Sequence, residues 1–237
     1  MTMPRSPRVL QAVVLDFDGV LADTEPLHLR AMAEALAVIG VPLTREEYFE
    51  RYLGVDDVGG FQAIERDRGL SWSDETHRRL LADKARRYRE ITAHESVLFP
   101  GVADRLRDWA RSVRLAVASG ALRDEIAPVL DREGLADIVA AIVASGETPR
   151  GKPAPDPYLR AVELLNAGRR PADGPIEAPR CIAVEDSMWG IESAHAAGLK
   201  VVAIATSYPP DQLTAAELVV ARFADLSLDL LEAVLRP

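Results

Sequence analysis

Short apolar runs alternate along most of the chain with longer segments in which apolar residues recur every three or four positions. The apolar runs cover residues 13–15, 114–118, 137–144, 181–184, 201–205 and 218–221. Runs of this length are typical of buried strands, and a spacing of three to four is typical of helices with one buried face. Strands that alternate with helices favour a mostly parallel sheet with helices on both faces. The pattern therefore predicts an α/β fold.

Residues 24–96 interrupt this alternation with helical patterns only. Thr44 and Glu47 form the sequence of a capping box, and Ser73 is the predicted N-cap of a helix over residues 74–92. Apolar residues at helical spacing also predict a helix soon after residue 24, and they are Leu29, Met32, Leu36 and Ile39. Because a block of helices breaks an otherwise regular order, we predict an inserted all-helical domain here.

Two polar segments in the second half carry further local signals. Asp156 followed by Pro157 predicts a helix that has Asp156 as its N-cap and Pro157 as its first residue. Residues 168–180 are rich in proline, glycine and charge, which predicts a mobile surface loop.

Composition and charge narrow the class of protein. The chain has 237 residues, of which 48% are hydrophobic and 27% are charged, as in ordinary soluble globular proteins. A net charge of −9 argues against a nucleic-acid partner, since phosphate backbones require a basic surface. The sequence lacks an apolar run of about 20 residues and a signal peptide, so we expect a cytoplasmic protein with no membrane partner. Its single cysteine, Cys181, permits no intrachain disulfide and is expected to be a core residue.

The first predicted strand ends in the acidic residues Asp16 and Asp18, with Gly19 immediately after them. Residues two apart on an extended chain project to the same face, so the two carboxylates can converge at the carboxyl end of the strand. Open α/β sheets bind ligands at that end. A cation would be needed to hold the carboxylates together, and magnesium suits oxygen ligands and shares its shell with phosphate. A pair of acids that only caps a helix is the alternative interpretation.

Polar residues follow other predicted strands as well. Ser119 and Gly120 follow the second strand, where a hydroxyl and free backbone N–H groups could bind an anion or simply cap a helix. Lys152 lies between Gly151 and Pro153, which constrains its backbone and could direct its ammonium group towards phosphate. An ordinary solvated lysine is the alternative.

The fourth predicted strand ends in the acidic pair Glu185 and Asp186. Acids at a neighbouring strand end could complete an oxygen shell for magnesium. They could also be an ordinary acidic start to the next helix.

The four segments together resemble the motifs of the haloacid dehalogenase-like (HAD) hydrolases, in the same order. The continuation to His28 resembles the branch that holds sugar-phosphate phosphatases and β-phosphoglucomutase. The matching runs are DFDGVLADTEPLH at 16–28, ASGA at 118–121, GKPAPDPY at 151–158 and VEDS at 184–187. The resemblance spans essentially the whole chain. It implies a Rossmann-like parallel sheet core flanked by helices over residues 1–23 and 97–237, and a helical cap domain over residues 24–96.

The resemblance also implies a role for each matching residue. Asp16 is expected to be the nucleophile that forms an aspartyl-phosphate, and Asp18 the general acid and base. Ser119 with Gly120 and Lys152 are expected to bind the transferred phosphoryl group. Magnesium is expected on Asp16, the main-chain carbonyl of Asp18 and Asp186, with Glu185 as a further ligand or as an orienting residue. A cap that closes over the site would exclude water and contribute specificity.

Sugar-phosphate phosphatases and β-phosphoglucomutase differ in what accepts the phosphoryl group. The acceptor is water in the phosphatases and a sugar hydroxyl in the mutase. His28 and Lys84 match substrate-facing residues of β-phosphoglucomutase, but phosphatases of the branch have them too. The mutase also has an arginine that binds a second phosphate, and Asp57 occupies the matching position here. An acid there should repel phosphate, although Arg51 or Arg66 could substitute for the missing arginine. We therefore favour a phosphatase, with a mutase as the alternative.

Other classes and the substrate remain open at this stage. A non-catalytic phosphate-binding or regulatory protein on the same fold is a third possibility, because fold does not fix function. Dehalogenation is disfavoured, since dehalogenases of the family normally lack the second aspartate, which is Asp18 here. The expected partner is a small phosphate ester such as a phosphorylated sugar, sugar acid or polyol, and nucleotides remain possible. We expect a monomer or a weak homodimer.

Overall fold

The computed structural model describes residues 9–94, 96–168 and 174–236. It divides into two compact units, one formed by residues 1–23 and 98–237 and the other by residues 24–97. Within the described ranges, no helix has both the length and the apolar character that a bilayer crossing requires. Part of the segment predicted to be a mobile loop, residues 169–173, lies outside the described residues.

The unit of residues 24–97 is helical. Its helices are α1 Glu25–Ala37, α2 Arg45–Arg51, α3 Asp57–Asp67 and α4 Asp74–His94. The capping box at α2 is confirmed, because the Thr44 side chain accepts a hydrogen bond from the Glu47 N–H and the Glu47 side chain accepts one from the Thr44 N–H. Ser73 accepts a hydrogen bond from the Thr76 N–H at the start of α4, as its predicted capping role requires. A core that includes Met32, Leu36, Phe61 and Ile64 holds these helices together.

The other unit is built on a parallel sheet of six strands. The strands are β1 Ala12–Leu15, β2 Arg114–Ala118, β3 Val139–Val143, β4 Cys181–Glu185, β5 Lys200–Ile204 and β6 Leu218–Val220. Its helices are α5 Val102–Trp109, α6 Arg123–Arg132, α7 Asp156–Ala167, α8 Met188–Ala196 and α9 Leu228–Val234. Each predicted strand is therefore confirmed to within two residues, and so is the α/β fold class.

The order of the strands determines which strand ends meet. The order is β3-β2-β1-β4-β5-β6, and every pair is parallel. Leu15 at the end of β1 is in register with Val117 of β2 and Val184 of β4. Residues just past the ends of β1, β2 and β4 must therefore lie next to one another at one edge of the sheet. Three of the four motif segments come from these strand ends.

One predicted helix start is wrong by one residue, and the alternative interpretation of Ser119 as a helix cap is wrong as well. Asp156 is the first residue of α7 instead of its N-cap, because Pro155 occupies the cap position and Arg150 binds the Asp156 carboxylate. Ser119 is not an N-cap either. Leu122 has an extended backbone, so α6 begins only at Arg123.

Candidate active site

Asp16 lies at the carboxyl end of β1, between the carboxyl ends of β2 and β4. It follows β1 directly, its N–H donates to the carbonyl of Val184, and its side chain is buried. Ser119, Glu185 and Asp186 are also buried, at the ends of the two neighbouring strands. The parallel register therefore brings side chains from three strands to one place.

Lys152 joins this group from the segment before α7. Its Nζ donates to Asp16 Oδ1 at 2.7 Å and also to Glu185 Oε1. Burial alone would lower the pKa of Lys152, but the carboxylates of Asp16 and Glu185 outweigh burial and raise it. The ammonium group therefore stays charged beside Asp16, at a distance suited to a charge-assisted hydrogen bond.

Burial sets the protonation behaviour of Asp16. Burial raises its pKa, Lys152 opposes that effect, and Glu185 adds to it, with a net pKa of about 6. Ser119 also forms a side-chain hydrogen bond with Asp16, which favours the ionised form. A carboxylate held in this way keeps a fixed orientation at the strand end.

The Glu185 carboxylate has hydrogen-bond partners on both of its oxygens. Oε1 accepts from Lys152 and from the Tyr158 hydroxyl at 2.7 Å. Oε2 accepts from the backbone N–H groups of Asp186 and Ser187 and from the Ser187 hydroxyl. Gly190 packs so closely that a Cβ there would lie 1.9 Å from the carboxylate carbon. Because both oxygens already have partners, Glu185 is better suited to orienting Lys152 than to binding a metal ion.

Asp186 has a less crowded carboxylate. Its Oδ2 accepts a hydrogen bond from the Ser207 hydroxyl, and no second bond to this carboxylate is seen among the described residues. Burial, followed by the charges of Asp16 and Glu185, raises its pKa well above the usual value. Asp186 is therefore buried beside two other acids, Asp16 and Glu185, whose charges repel its own. A carboxylate in such surroundings is a suitable ligand for a cation.

The donor set fits a magnesium ion. Asp16, Glu185 and Asp186 each offer a carboxylate oxygen, and these oxygens lie within 4.8 Å of one another. All are hard oxygen ligands, as magnesium prefers. Burial and mutual repulsion disfavour ionised carboxylates here unless a cation is bound.

Asp18 and Gly19 lie in the turn that follows Asp16. Asp18 is half-buried. Gly19 has φ +71°, and a Cβ there would lie 1.9 Å from Asp186 Oδ2, so only glycine fits. Gly120, by contrast, has open space where a Cβ would be, so its role is not steric.

His28, Lys84 and Asp57 lie together within the helical unit. The Lys84 side chain is buried, and its Nζ contacts His28 Nδ1 at 2.7 Å and Asp57 Oδ1 at 2.7 Å. His28 also stacks on Tyr88 with ring centroids 4.3 Å apart. Burial, and then the charge of Lys84, lower the pKa of His28 to about 3. Since lysine has only donors, His28 Nδ1 must accept, which fixes the neutral ring with its proton on Nε2.

Sequence reasoning missed Tyr158 and Ser207. Tyr158 follows the helical apolar pattern of α7, so nothing in the sequence separates its hydroxyl from a packing role. Ser207 follows the end of β5 within three residues. The rule that polar groups after parallel strands meet at one edge could have found it.

The fold and the site define an α/β enzyme with a buried aspartate and lysine and an acidic, cation-ready cluster at the carboxyl ends of its strands. A family model described as haloacid dehalogenase-like hydrolase matches residues 10–198. The chain belongs to the haloacid dehalogenase-like hydrolase family, as the motif resemblance predicted.

Curated relatives support the same family. Protein CbbY of Rhodobacter capsulatus is 36% identical over 95% of this chain and 97% of its own. A phosphorylated carbohydrates phosphatase of Thermotoga maritima is 28% identical over 81% and 83% of the two chains. The beta-phosphoglucomutase of Bacillus subtilis is 28% identical over 94% of each.

A solved structure agrees in fold over almost the whole length. It is a variant of CbbY from Rhodobacter sphaeroides in complex with xylulose-1,5-bisphosphate. It has a TM-score of 0.76 and 26% identity, and the match covers 92% of this chain and 96% of the solved one.

Proposed function

We propose that this protein is a magnesium-dependent phosphatase that hydrolyses a small phosphorylated sugar or polyol through an aspartyl-phosphate on Asp16. The observation that carries the proposal is the ion pair between Asp16 Oδ1 and Lys152 Nζ at 2.7 Å, buried beside Asp186 at the strand ends. Membership of a hydrolase family and a phosphatase relative support it.

In the first half of the reaction, a carboxylate oxygen of Asp16 attacks phosphorus and the bond from phosphorus to the ester oxygen breaks. Asp18 gives its proton to the departing alkoxide, so an alcohol leaves and the phosphoryl group stays on Asp16. Lys152 and the Ser119 hydroxyl donate to phosphoryl oxygens, and Lys152 offsets their negative charge. Glu185 keeps the ammonium group of Lys152 in place through its bond to Nζ.

In the second half, Asp18 takes a proton from a water molecule as the water oxygen attacks phosphorus. The bond between Asp16 and phosphorus breaks, inorganic phosphate forms, and the Asp16 carboxylate is restored. The proton that Asp18 gave in the first half is thereby replaced. One hard displacement becomes two easier ones.

Asp16, Asp186 and the main-chain carbonyl of Asp18 are the residues that would hold magnesium. When bound, the ion neutralises charge on the phosphoryl group and on the acidic cluster. Glu185 is close enough to offer an oxygen as well, but both of its oxygens have partners in the protein, so we propose that it orients Lys152 instead. Ser119 and Lys152 complete the phosphate site from the protein side.

A phosphorylated carbohydrate is the substrate class that the relatives support. One relative is named for phosphorylated carbohydrates, one is a phosphoglucomutase, and a solved relative binds a sugar bisphosphate. We propose that His28 and Lys84 in the helical unit contribute to the choice among such esters. The neutral His28 ring can donate a hydrogen bond from Nε2 to a substrate hydroxyl group without adding charge.

A phosphosugar mutase is the second candidate, because the mutase relative matches 94% of this chain. The position of Asp57 argues against it. Asp57 pairs with Lys84, so the positive charge of the buried lysine is already balanced within the helical unit. A second phosphate would meet a neutralised cation and a carboxylate there instead of an arginine.

The test is to incubate purified protein and Mg²⁺ with a panel of sugar, polyol and nucleotide monophosphates, following free phosphate and phosphate isomers together. The panel includes β-glucose 1-phosphate primed with its bisphosphate. Release of phosphate without isomerisation is the expected result. Isomerisation with little free phosphate would establish the mutase instead, and neither product from any ester would contradict an enzymatic role. An Asp16→Asn preparation run in parallel identifies any contaminating phosphatase.

A further inference from the structure

The loop after β5 contacts the acidic cluster through two hydroxyl groups. Ser207 donates to Asp186 Oδ2, and Thr206 donates to the main-chain carbonyl of Gly19 at 2.5 Å. β5 is the neighbour of β4 in the sheet, so its loop reaches the cluster from the side opposite β1. None of the four motif segments includes this loop.

Gly19, Asp186 and Ser207 pack too tightly for independent movement. A Cβ on Gly19 would lie 1.9 Å from Asp186 Oδ2 and 2.7 Å from Ser207 Oγ. Thr206 fixes the Gly19 backbone on the other side of this contact. The Asp186 carboxylate is therefore held between the turn after β1 and the loop after β5.

The hydrogen bond from Ser207 uses Oδ2 of Asp186, and a carboxylate oxygen of Asp186 lies within 4.8 Å of one from Asp16. An ionised carboxylate has two oxygens and about four lone-pair sites, so one hydrogen bond does not exhaust it. Ligating carboxylates are commonly hydrogen-bonded by neighbours that set their direction. A carboxylate with one oxygen fixed loses less rotational freedom when a cation binds.

We propose that Ser207 is a positioning residue that orients Asp186 for magnesium. The inference rests on the proposed function only in that both use the same metal site. Ser207 acts by holding the Asp186 carboxylate in the orientation that binds the cation.

The experiment is calorimetric titration of Mg²⁺ into substrate-free wild type, Ser207→Ala and Ser207→Thr. We expect magnesium to bind Ser207→Ala about tenfold more weakly, the lower end of the usual effect of such neighbours. Ser207→Thr keeps the hydroxyl and should restore affinity to near the wild-type value. Ser112→Ala, which removes an exposed hydroxyl after α5, is the matched control and should bind as wild type does.

Circular dichroism and thermal unfolding establish whether the variants fold. A purely structural role for Ser207 would lower the melting temperature of Ser207→Ala and leave its magnesium affinity unchanged, which would overturn the proposal. Tighter binding by Ser207→Ala would also overturn it, because the hydroxyl would then compete with the cation. A wild-type protein that binds no magnesium would do the same.

The two proposals can fail separately. Magnesium binding is measured without substrate, so it does not depend on turnover. Wild-type protein that binds magnesium but hydrolyses no ester would contradict the phosphatase and leave the role of Ser207 intact. An active phosphatase whose wild type and Ser207→Ala bind magnesium equally well would support the phosphatase and contradict the role of Ser207.

Discussion

The hydroxyl of Tyr158 donates to Glu185 Oε1 at 2.7 Å, and both side chains are buried. The same oxygen accepts from Lys152, which in turn donates to Asp16. A residue on α7 is therefore connected to the proposed nucleophile through two intermediate side chains. Burial and the charge of Glu185 raise the pKa of Tyr158, so the hydroxyl keeps its proton and remains a donor.

Replacing Tyr158 by phenylalanine removes this donor and leaves the ring in the core. Because a hydrogen bond to a charged group contributes about 1.5 kcal/mol or more, we expect kcat to fall about tenfold with little change in KM. Tyr52→Phe is the matched control, since its hydroxyl donates to Asp67 in the helical unit, away from Glu185. Steady-state kinetics measure both. Equal kcat in Tyr158→Phe and wild type would show that the hydrogen bond from Tyr158 to Glu185 does not contribute to catalysis.

The pair of Lys84 and Asp57 has unequal burial, which predicts unequal mutational costs. Lys84 is 1% exposed and Asp57 is 37% exposed. In Asp57→Asn a buried ammonium group loses its counter-charge, whereas in Lys84→Met the remaining carboxylate can be hydrated. We expect Asp57→Asn to lower the free energy of unfolding by about 2 kcal/mol and Lys84→Met by less. Urea denaturation tests the order, and a larger loss in Lys84→Met would contradict it.

The half-buried, neutral His28 predicts a loss of stability on acidification. Its pKa is about 3 in the folded protein against 6.5 for an unperturbed histidine. Between these values the unfolded chain binds a proton that the folded chain excludes, so stability falls as pH falls from about 6.5 towards 3. His28 keeps some contact with water, so we expect it to contribute about 1 kcal/mol of this loss by about pH 5.

His28→Asn keeps a hydrogen-bond acceptor for Lys84 and removes the titrating group. The decline in unfolding free energy between about pH 7 and pH 5 should therefore be smaller in His28→Asn than in wild type. Denaturation curves at the two pH values measure the difference. Identical declines would mean that the folded protein protonates His28 as readily as the unfolded chain does.

The fold followed from the sequence because its strands are short apolar runs, and β1, β2, β4 and β5 are buried almost throughout. The positions of Asp16, Ser119 and Asp186 at one edge of the sheet followed in turn, since residues after parallel strands must meet there. Helix α3 was not predicted. It contains Gly59 and Gly60, which are poor helix formers, and it is stabilised by the Asp56 cap and by burial of Phe61.

The direction of individual side chains could not be predicted, because it depends on neighbours from distant segments. Glu185 could equally have faced a cation, had Tyr158 and the backbone after β4 not occupied its oxygens. The pairing of Lys84 with Asp57 joins residues that are 27 positions apart on two different helices. Such contacts are set by packing and not by any local pattern.

The phosphoryl group itself is the most direct probe of the proposed mechanism. An ester labelled at phosphorus is mixed with enzyme and Mg²⁺, quenched in acid within one turnover, and digested for mass spectrometry. The account predicts a label on the peptide that contains Asp16 and none in Asp16→Asn. In Asp18→Asn the label should both form and disappear more slowly, because Asp18 is the acid of the first step and the base of the second. Asp23→Asn, which changes an exposed acid of the same segment, should label as wild type does. Rapid phosphate release with no label on Asp16 in wild type or Asp18→Asn would contradict the account.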